Sequence, residues 1–327
     1  MQLKSVNITK NLNSKWHILM SHGEISLKER DIIKPDSSVY TIGSCFAEEI
    51  RKSLTKSEFN LYPKLKSLKF NRDNCNVDTL PDREHMNFYN LGSIYQEFQR
   101  SVNLLKVDAS DFVEVKNTNC GVKADGNPKL FKQHGSVLYH DILRRWTWSN
   151  SLEELIDISQ KLNTLTIEGL TKADIIIITL GMSEVFSNEK FIANEMPAHL
   201  IGHTQYKPKL LTTEENLSYL KAIVSFLKEV NKRVKIVLTV SPVPLIRTFL
   251  SNDIFTANLF SKSNLISALN QFLSNEPEDV YYFPSFEIVN LLGWGAFADD
   301  GRHVKQGTAD LVVRAFLQSF GAKSQSI

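Results

Sequence analysis

The stretch Ser38-Val39-Tyr40-Thr41-Ile42-Gly43-Ser44-Cys45-Phe46-Ala47-Glu48-Glu49-Ile50 decides how this chain is read. β-Branched and aromatic residues up to Ile42 describe a short strand. Gly43 marks a tight turn, and a helix starts just after it. Strand, turn and helix in that order lift the residues at the turn out of a sheet and aim them at a cleft. Ser44 and Cys45 both carry nucleophile-capable side chains, and the N–H groups at the start of a helix are available to an oxyanion. Far along the chain, Asp300-Gly301-Arg302-His303 is a D-x-x-H run that offers a base and its orienting carboxylate. Together the two segments point to nucleophile–His–Asp acyl chemistry. Asp299 is one residue from Asp300 and is the alternative carboxylate.

Outward from this stretch, the near-continuous apolar runs Val39–Ile42, Ile175–Leu180, Val234–Val240 and Val280–Phe283 predict strands buried on both faces. Helical patterns lie between them. Ser151-Leu152-Glu153-Glu154 is a capping box opening a helix through about Leu162. Thr212-Thr213-Glu214-Glu215 opens another, with Leu217, Leu220, Val224 and Leu227 on one face. Leu265, Ala268, Leu269 and Phe272 mark a third, stopped by Pro277, and a fourth follows Gly307. Alternating strands and helices predict a doubly wound, mostly parallel α/β sheet, whose ligands sit beyond the carboxyl ends of its strands. Ser44 and Cys45, Gly181-Met182-Ser183-Glu184, Ser241-Pro242, and Asp300 with His303 all fall at or after such ends. The whole chain, 1–327, is expected to be a single domain with a core over about 37–320. Residues from about 60 to 150 are expected to be an insertion of loops, short helices and one more strand, forming a cap or acceptor-binding wall.

The composition narrows the class. The chain has 327 residues, 42% of them hydrophobic and 23% charged, which suits one large α/β domain. A net charge of +2 gives no electrostatic reason to expect nucleic acid or an anionic membrane surface. No run approaches the ~18 apolar residues of a membrane span. Met1 to Met20 has no h-region, so no secretory signal is expected. Cys45, Cys75 and Cys120 are odd in number and widely spaced, which predicts no disulfide framework and a reduced, cytoplasmic protein. No G-x-G-x-x-G or P-loop pattern follows a strand, which disfavours nucleotide-dependent redox chemistry and phosphoryl transfer.

At Gly43-Ser44-Cys45-Phe46-Ala47 the chain resembles GSCFA-domain proteins. Thr179-Leu180-Gly181-Met182-Ser183-Glu184-Val185, Ser241-Pro242-Val243-Pro244 and Phe283-Pro284-Ser285-Phe286-Glu287 look like later blocks of that family, so the resemblance spans about residues 37 to 320. The family is similar to the SGNH (GDSL-type) hydrolases. That similarity implies a three-layer, flavodoxin-like α/β/α fold, a nucleophile after the first strand and a C-terminal D-x-x-H. It also implies that Asn90 or Gly92 matches the second block and Gly181 the third. The chain departs from the superfamily in three places. Cys45 stands in the register of the nucleophile, Ser183 or Glu184 replaces the third-block asparagine, and Val304 replaces the proline after the histidine. A branch of the superfamily that acts on capsular sugars resembles this Gly-x-Cys arrangement, with cysteine and histidine as a dyad. That similarity and the register favour Cys45 over Ser44.

We therefore read the chain as an acyl-group enzyme. It would transfer an acetyl group to a carbohydrate hydroxyl, as in polysaccharide biosynthesis, or hydrolyse one from it. A Cys45 (or Ser44) acyl-enzyme would carry the reaction, with His303 as base and Asp300 fixing its tautomer. A thiol at a helix start beside an imidazole is activated as a nucleophile. Backbone N–H groups around Cys45 and Phe46, with Gly181 or Ser183, would hold the oxyanion, and Glu184 would position an acceptor hydroxyl. No bound cofactor or metal is expected; the partners are a small-molecule acyl donor, acyl-CoA being compatible with a thioester intermediate, and a carbohydrate acceptor. The alternatives are a GDSL-type esterase using Ser44 and a saccharide-binding module without catalysis.

Each of these residues also has a bland reading. Cys45 is read against a small buried hydrophobe. Ser183 and Glu184 are read against capping a helix N-terminus. His199 and His203 are four apart but lack the glutamate of H-E-x-x-H, and Pro197 and Gly202 oppose a helix. His140-Asp141 is expected at the surface. Arg144, Arg145, Trp146 and Trp148 are expected to grip a sugar or phosphate, or to form a helix anchoring its aromatic face.

Overall fold

The computed structural model describes residues 25, 27–55, 59–68, 87–116, 137–144, 147–149, 151–194, 196, 204–250 and 253–321. Cys75, Cys120, Arg145, Trp146, His199 and His203 lie outside them. In chain order the strands and α-helices are β1 (Ser38–Gly43), α1 (Cys45–Thr55), β2 (Asn60–Tyr62), α2 (Leu91–Ser101), β3 (Val113–Lys116), β4 (Val137–His140), β5 (Trp148–Ser149) and α3 (Leu152–Lys172). There follow β6 (Ile175–Leu180), β7 (Glu184–Ser187), β8 (Ile192–Ala193), β9 (Lys207–Leu210), α4 (Thr213–Val230), β10 (Lys235–Val240), α5 (Ile254–Leu273), β11 (Val280–Phe283), α6 (Ser285–Leu291) and α7 (Gln306–Phe320).

The central sheet has the order β11-β10-β6-β1-β2, and every neighbouring pair is parallel. β6 shows why its sequence is Ile-Ile-Ile-Ile. Ile176 and Ile178 pack with α2, α3, α4 and α5 on one face, and Ile175 and Ile177 with α1, α6 and α7 on the other. All four are fully buried, and each removes enough apolar surface to contribute about 2 kcal/mol as an upper estimate. This is the three-layer, flavodoxin-like α/β/α architecture expected from the sequence. The chain order reverses at β1, which has β2 on one side and β6 on the other. That reversal opens a crevice beyond the carboxyl ends of β1 and β6, where ligands bind in open α/β sheets.

The expected helices are present. Ser151 and Thr212 cap α3 and α4 through the predicted side chains, each accepting from a backbone N–H three residues on. α3 runs to Lys172, ten residues past the expected end at Leu162, because Leu165 and Leu170 continue its apolar face onto the sheet. Between residues 60 and 150, where one more strand is expected, the described residues hold four short ones, and β2 is the one that joins the central sheet. Its three residues are too few for a periodic signal, and pairing with β1 creates it.

Two small antiparallel sheets flank the core, β3-β4-β5 and β8-β7-β9. The first corrects two expectations. His140 and Asp141 are buried rather than at the surface, and Arg144 and Trp148 are buried too. Arg144 forms no sugar grip or helix face: its guanidinium donates twice to Glu97 of α2 and also to the Ser159 carbonyl of α3. Arg100 and Asp141 form a second bidentate pair beside it. Buried charges need such complete partnering, because any one left alone would cost several kcal/mol, about 3–5 on removal of its partner.

Candidate active site

The site is built at the turn from β1 into α1. Gly43 has φ +136, a backbone region that L side chains rarely adopt, and a Cβ there would meet the Thr179 carbonyl oxygen at 2.2 Å. Glycine therefore lets β1 and β6 close against each other at their carboxyl ends. The Ser44 N–H donates to Thr179 O at 3.0 Å and locks the turn.

The two nucleophile candidates then separate. Ser44 is buried, and its Oγ accepts from the Phe46 N–H at 3.4 Å, in the position of a helix N-cap. Cys45 is the first residue of α1 and is partly exposed. Its own N–H belongs to the first helical turn, where no intrahelical acceptor exists. The Tyr89 hydroxyl and the Asn87 Nδ2 each lie 3.8 Å from Cys45 Sγ. Asn87 is buried, bridges to Gly43 as a one-residue extension of the sheet, and its Oδ1 meets no partner among the described residues. Phe46 is buried in the core against the sheet, so only its backbone faces the turn chemistry.

The other expected site residues are distributed as follows. Asn90 caps α2, accepting from the Ser93 N–H at 2.8 Å and donating to Ala193 O at 3.1 Å. Gly92 lies in α2 against Ile192. Gly181 sits beside the nucleophile turn: a Cβ on it would come within 2.5 Å of Tyr89 O and 3.2 Å of Ser44 Cβ. Ser183 and Glu184 do not cap a helix, because the chain enters β7 at Glu184. Ser183 Oγ donates to Ser261 O at 2.9 Å and accepts from Asn216 Nδ2 at 3.2 Å. Glu184 accepts from Thr248 Oγ1 at 2.8 Å and from the Phe249 N–H at 2.6 Å, tying down the segment after β10.

Asp300 and His303 form a side-chain hydrogen bond between Asp300 Oδ2 and His303 Nδ1. Asp300 Oδ1 accepts from the backbone N–H groups of Arg302 at 3.0 Å and His303 at 2.9 Å, and these donors hold its carboxyl well below the usual carboxylate range. Arg302 lies 3.1 Å from His303 Nε2 through its guanidinium, which can only donate, so Nε2 accepts and Nδ1 carries the proton shared with Asp300. The same guanidinium donates to Pro244 O at 3.2 Å, which places this loop at the carboxyl end of β10. Both His303 and Asp300 are exposed, and no hydrogen bond joins His303 to Cys45.

Sequence reasoning missed Asn87, Tyr89 and Lys262. Lys262 of α5 is 2% exposed, and its Nζ donates to Gly181 O at 2.5 Å and Ser241 O at 2.8 Å. Burial pushes its ammonium down to about 7, with Arg302 adding to the fall and Cys45 opposing it. The motif Asn87-Phe88-Tyr89-Asn90 was a visible signal, but nothing in the sequence says which asparagine meets the thiol.

The described residues thus form a parallel five-stranded α/β/α sheet with a thiol at its switch point. The chain belongs to the GSCFA family, whose pattern matches residues 38–316. Among solved structures it is similar to a carbohydrate esterase family 3 protein from Talaromyces cellulolyticus, with 10% identity over 86% of this chain and 94% of that one and a TM-score of 0.35. It is also similar to a family 3 carbohydrate esterase from Clostridium thermocellum, with 10% identity over 87% and 94% and a TM-score of 0.34. Curated proteins give no match. Among the described residues no helix is long and apolar enough to cross a membrane, and no cluster of three or more His, Cys, Asp or Glu has the arrangement of a metal site.

Proposed function

We propose that this protein is an acyl-group enzyme of SGNH type, in which Cys45 forms a thioester acyl-enzyme and passes the acyl group between a donor and a carbohydrate hydroxyl. One observation carries it. At the strand-to-helix turn the thiol is open while the neighbouring serine is spent on capping, and two polar side chains converge on the sulfur. Cys45 Sγ attacks the ester or thioester carbonyl carbon, an S–C bond forms and the carbonyl oxygen becomes an oxyanion. The Cys45 N–H, the Asn87 amide and the Tyr89 hydroxyl are the donors in reach of that oxyanion. Collapse of the intermediate breaks the bond to the leaving group.

His303 is the base for the thiol proton and then the acid for the leaving group, with Asp300 holding Nδ1. Arg302 occupies Nε2 in the resting structure, so the proton moves only after the guanidinium hands Nε2 over. The oxygen of an incoming acyl group is a suitable new acceptor for that guanidinium. Catalytic hydrogen bonds commonly tighten only with substrate bound. A water or sugar hydroxyl then attacks the thioester, releasing the thiol. An acyl-CoA donor suits transfer, because one thioester replaces another at little free-energy change, and an acetyl ester donor suits hydrolysis.

The test is acceptor dependence. A transferase consumes acetyl-CoA faster when the right polyol is present, whereas an esterase releases acetate from an ester with water alone. Saccharide binding that persists in Cys45→Ala, with no acylated protein formed from either donor, would replace the enzyme reading with a binding module.

A further inference from the structure

Lysine is almost never fully buried without a countercharge. Lys262 is buried, both of its acceptors are neutral backbone carbonyls, and among the described residues no carboxylate pairs with it. Those carbonyls belong to Gly181 and Ser241, the residues that leave β6 and β10 at the carboxyl edge of the sheet. The preceding residue of α5 grips the same exit: the Ser183 N–H donates to Ser261 Oγ at 2.7 Å, and Ser183 Oγ donates to Ser261 O. Gly181 lies beside the nucleophile turn, where a Cβ on it would come 3.2 Å from Ser44 Cβ. The next N–H along, that of Met182, donates to Tyr89 O at 2.8 Å, and the Tyr89 hydroxyl faces Cys45 Sγ. A chain of contacts therefore runs from Lys262 through Gly181 and Tyr89 to the thiol.

We infer that Lys262 is a positioning residue of the Cys45 site, clamping the exits of β6 and β10 and supplying a buried positive charge that favours negative charge at Cys45. The inference rests on the reading of Cys45 as the site's nucleophile. The groups acting electrostatically on Lys262 are Arg302, from the loop before α7, and Cys45, from α1. Arg302 repels it and Cys45 attracts it. Because burial brings Lys262 down to about 7, the charge is present below neutral pH and gone above it.

The experiment follows iodoacetamide alkylation of the Cys45 peptide by mass spectrometry from pH 6 to 9, in wild type and Lys262→Met. Alkylation in the variant should be about tenfold slower at pH 6 and within about twofold of wild type by pH 9, where wild-type Lys262 is neutral. Equal rates at pH 6, or one constant slowing at every pH, would overturn the inference, the second outcome leaving a purely structural lysine. Should Lys262→Met fail to fold, Lys262→Gln takes its place, since its amide can still donate to both carbonyls without a charge. Wild-type turnover of p-nitrophenyl acetate is measured alongside. Its absence would count against the acyl-enzyme reading, and the alkylation comparison would still decide the role of Lys262.

Discussion

Replacing Lys262 by methionine should change how stability depends on pH, and the size of the change follows from where the lysine sits. In the unfolded chain the ammonium titrates near 10.5, and in the fold burial lowers it to about 7. Between those values the unfolded chain holds a proton that the folded protein has released, so stability rises with pH across that window. At 1.36 kcal/mol per unit, the full window amounts to about 5 kcal/mol, and the accessible part from pH 7 to 9.5 to about 3 kcal/mol. Below pH 7 both states are protonated and the contribution is flat. Methionine has similar reach and no titration, so groups that do not interact with Lys262 cancel in the difference. Urea unfolding followed by fluorescence at pH 7, 8 and 9.5 gives that difference. Wild-type stability should gain on the variant by about 3 kcal/mol between pH 7 and 9.5. A difference that stays constant to within about 1 kcal/mol would refute the claim that the lysine is forced to give up its proton.

Three further substitutions probe the turn and its partners. Gly43→Ala forces a Cβ against Thr179 O at a φ of +136, and should cost at least about 3 kcal/mol or abolish folding, read by thermal melting. Ser44→Ala removes only a long capping bond, so it should lose about 0.5–1 kcal/mol of stability while keeping turnover. A Ser44→Ala protein that folds but is dead would move the nucleophile to serine. His303→Ala should reduce turnover by on the order of a hundredfold or more with the circular dichroism spectrum unchanged, because the side chain is exposed and its loss leaves no cavity.

The parallel sheet was legible because β6, β10 and β1 are buried on both faces, and strands in that position have little freedom but to be apolar runs. The turn at Gly43 was legible because glycine, two nucleophile-capable residues and a helix start occur within a few positions. What escaped depends on contacts across the chain. Asn87 and Asn90 look alike in sequence; pairing of Asn87 with Gly43 puts one at the thiol, while the cap of α2 consumes the other. Lys262 sits in the polar run Ser261-Lys262-Ser263-Asn264, which reads as a solvated helix face. Only the packing of α5 over the ends of β6 and β10 shows that the first two residues point inward. Arg144 and Glu97 escaped similarly, since a buried pair 47 positions apart leaves no local pattern.

The central claim is that Cys45 carries the acyl group. Its most direct test is the intact mass of the protein after brief exposure to acetyl-CoA and to p-nitrophenyl acetate, with wild type, Cys45→Ala, Ser44→Ala and His303→Ala side by side. An acetyl adduct on wild type and Ser44→Ala, absent from Cys45→Ala and slower to form in His303→Ala, is the expected result. An adduct that survives in Cys45→Ala, or is lost in a folded Ser44→Ala, would contradict it.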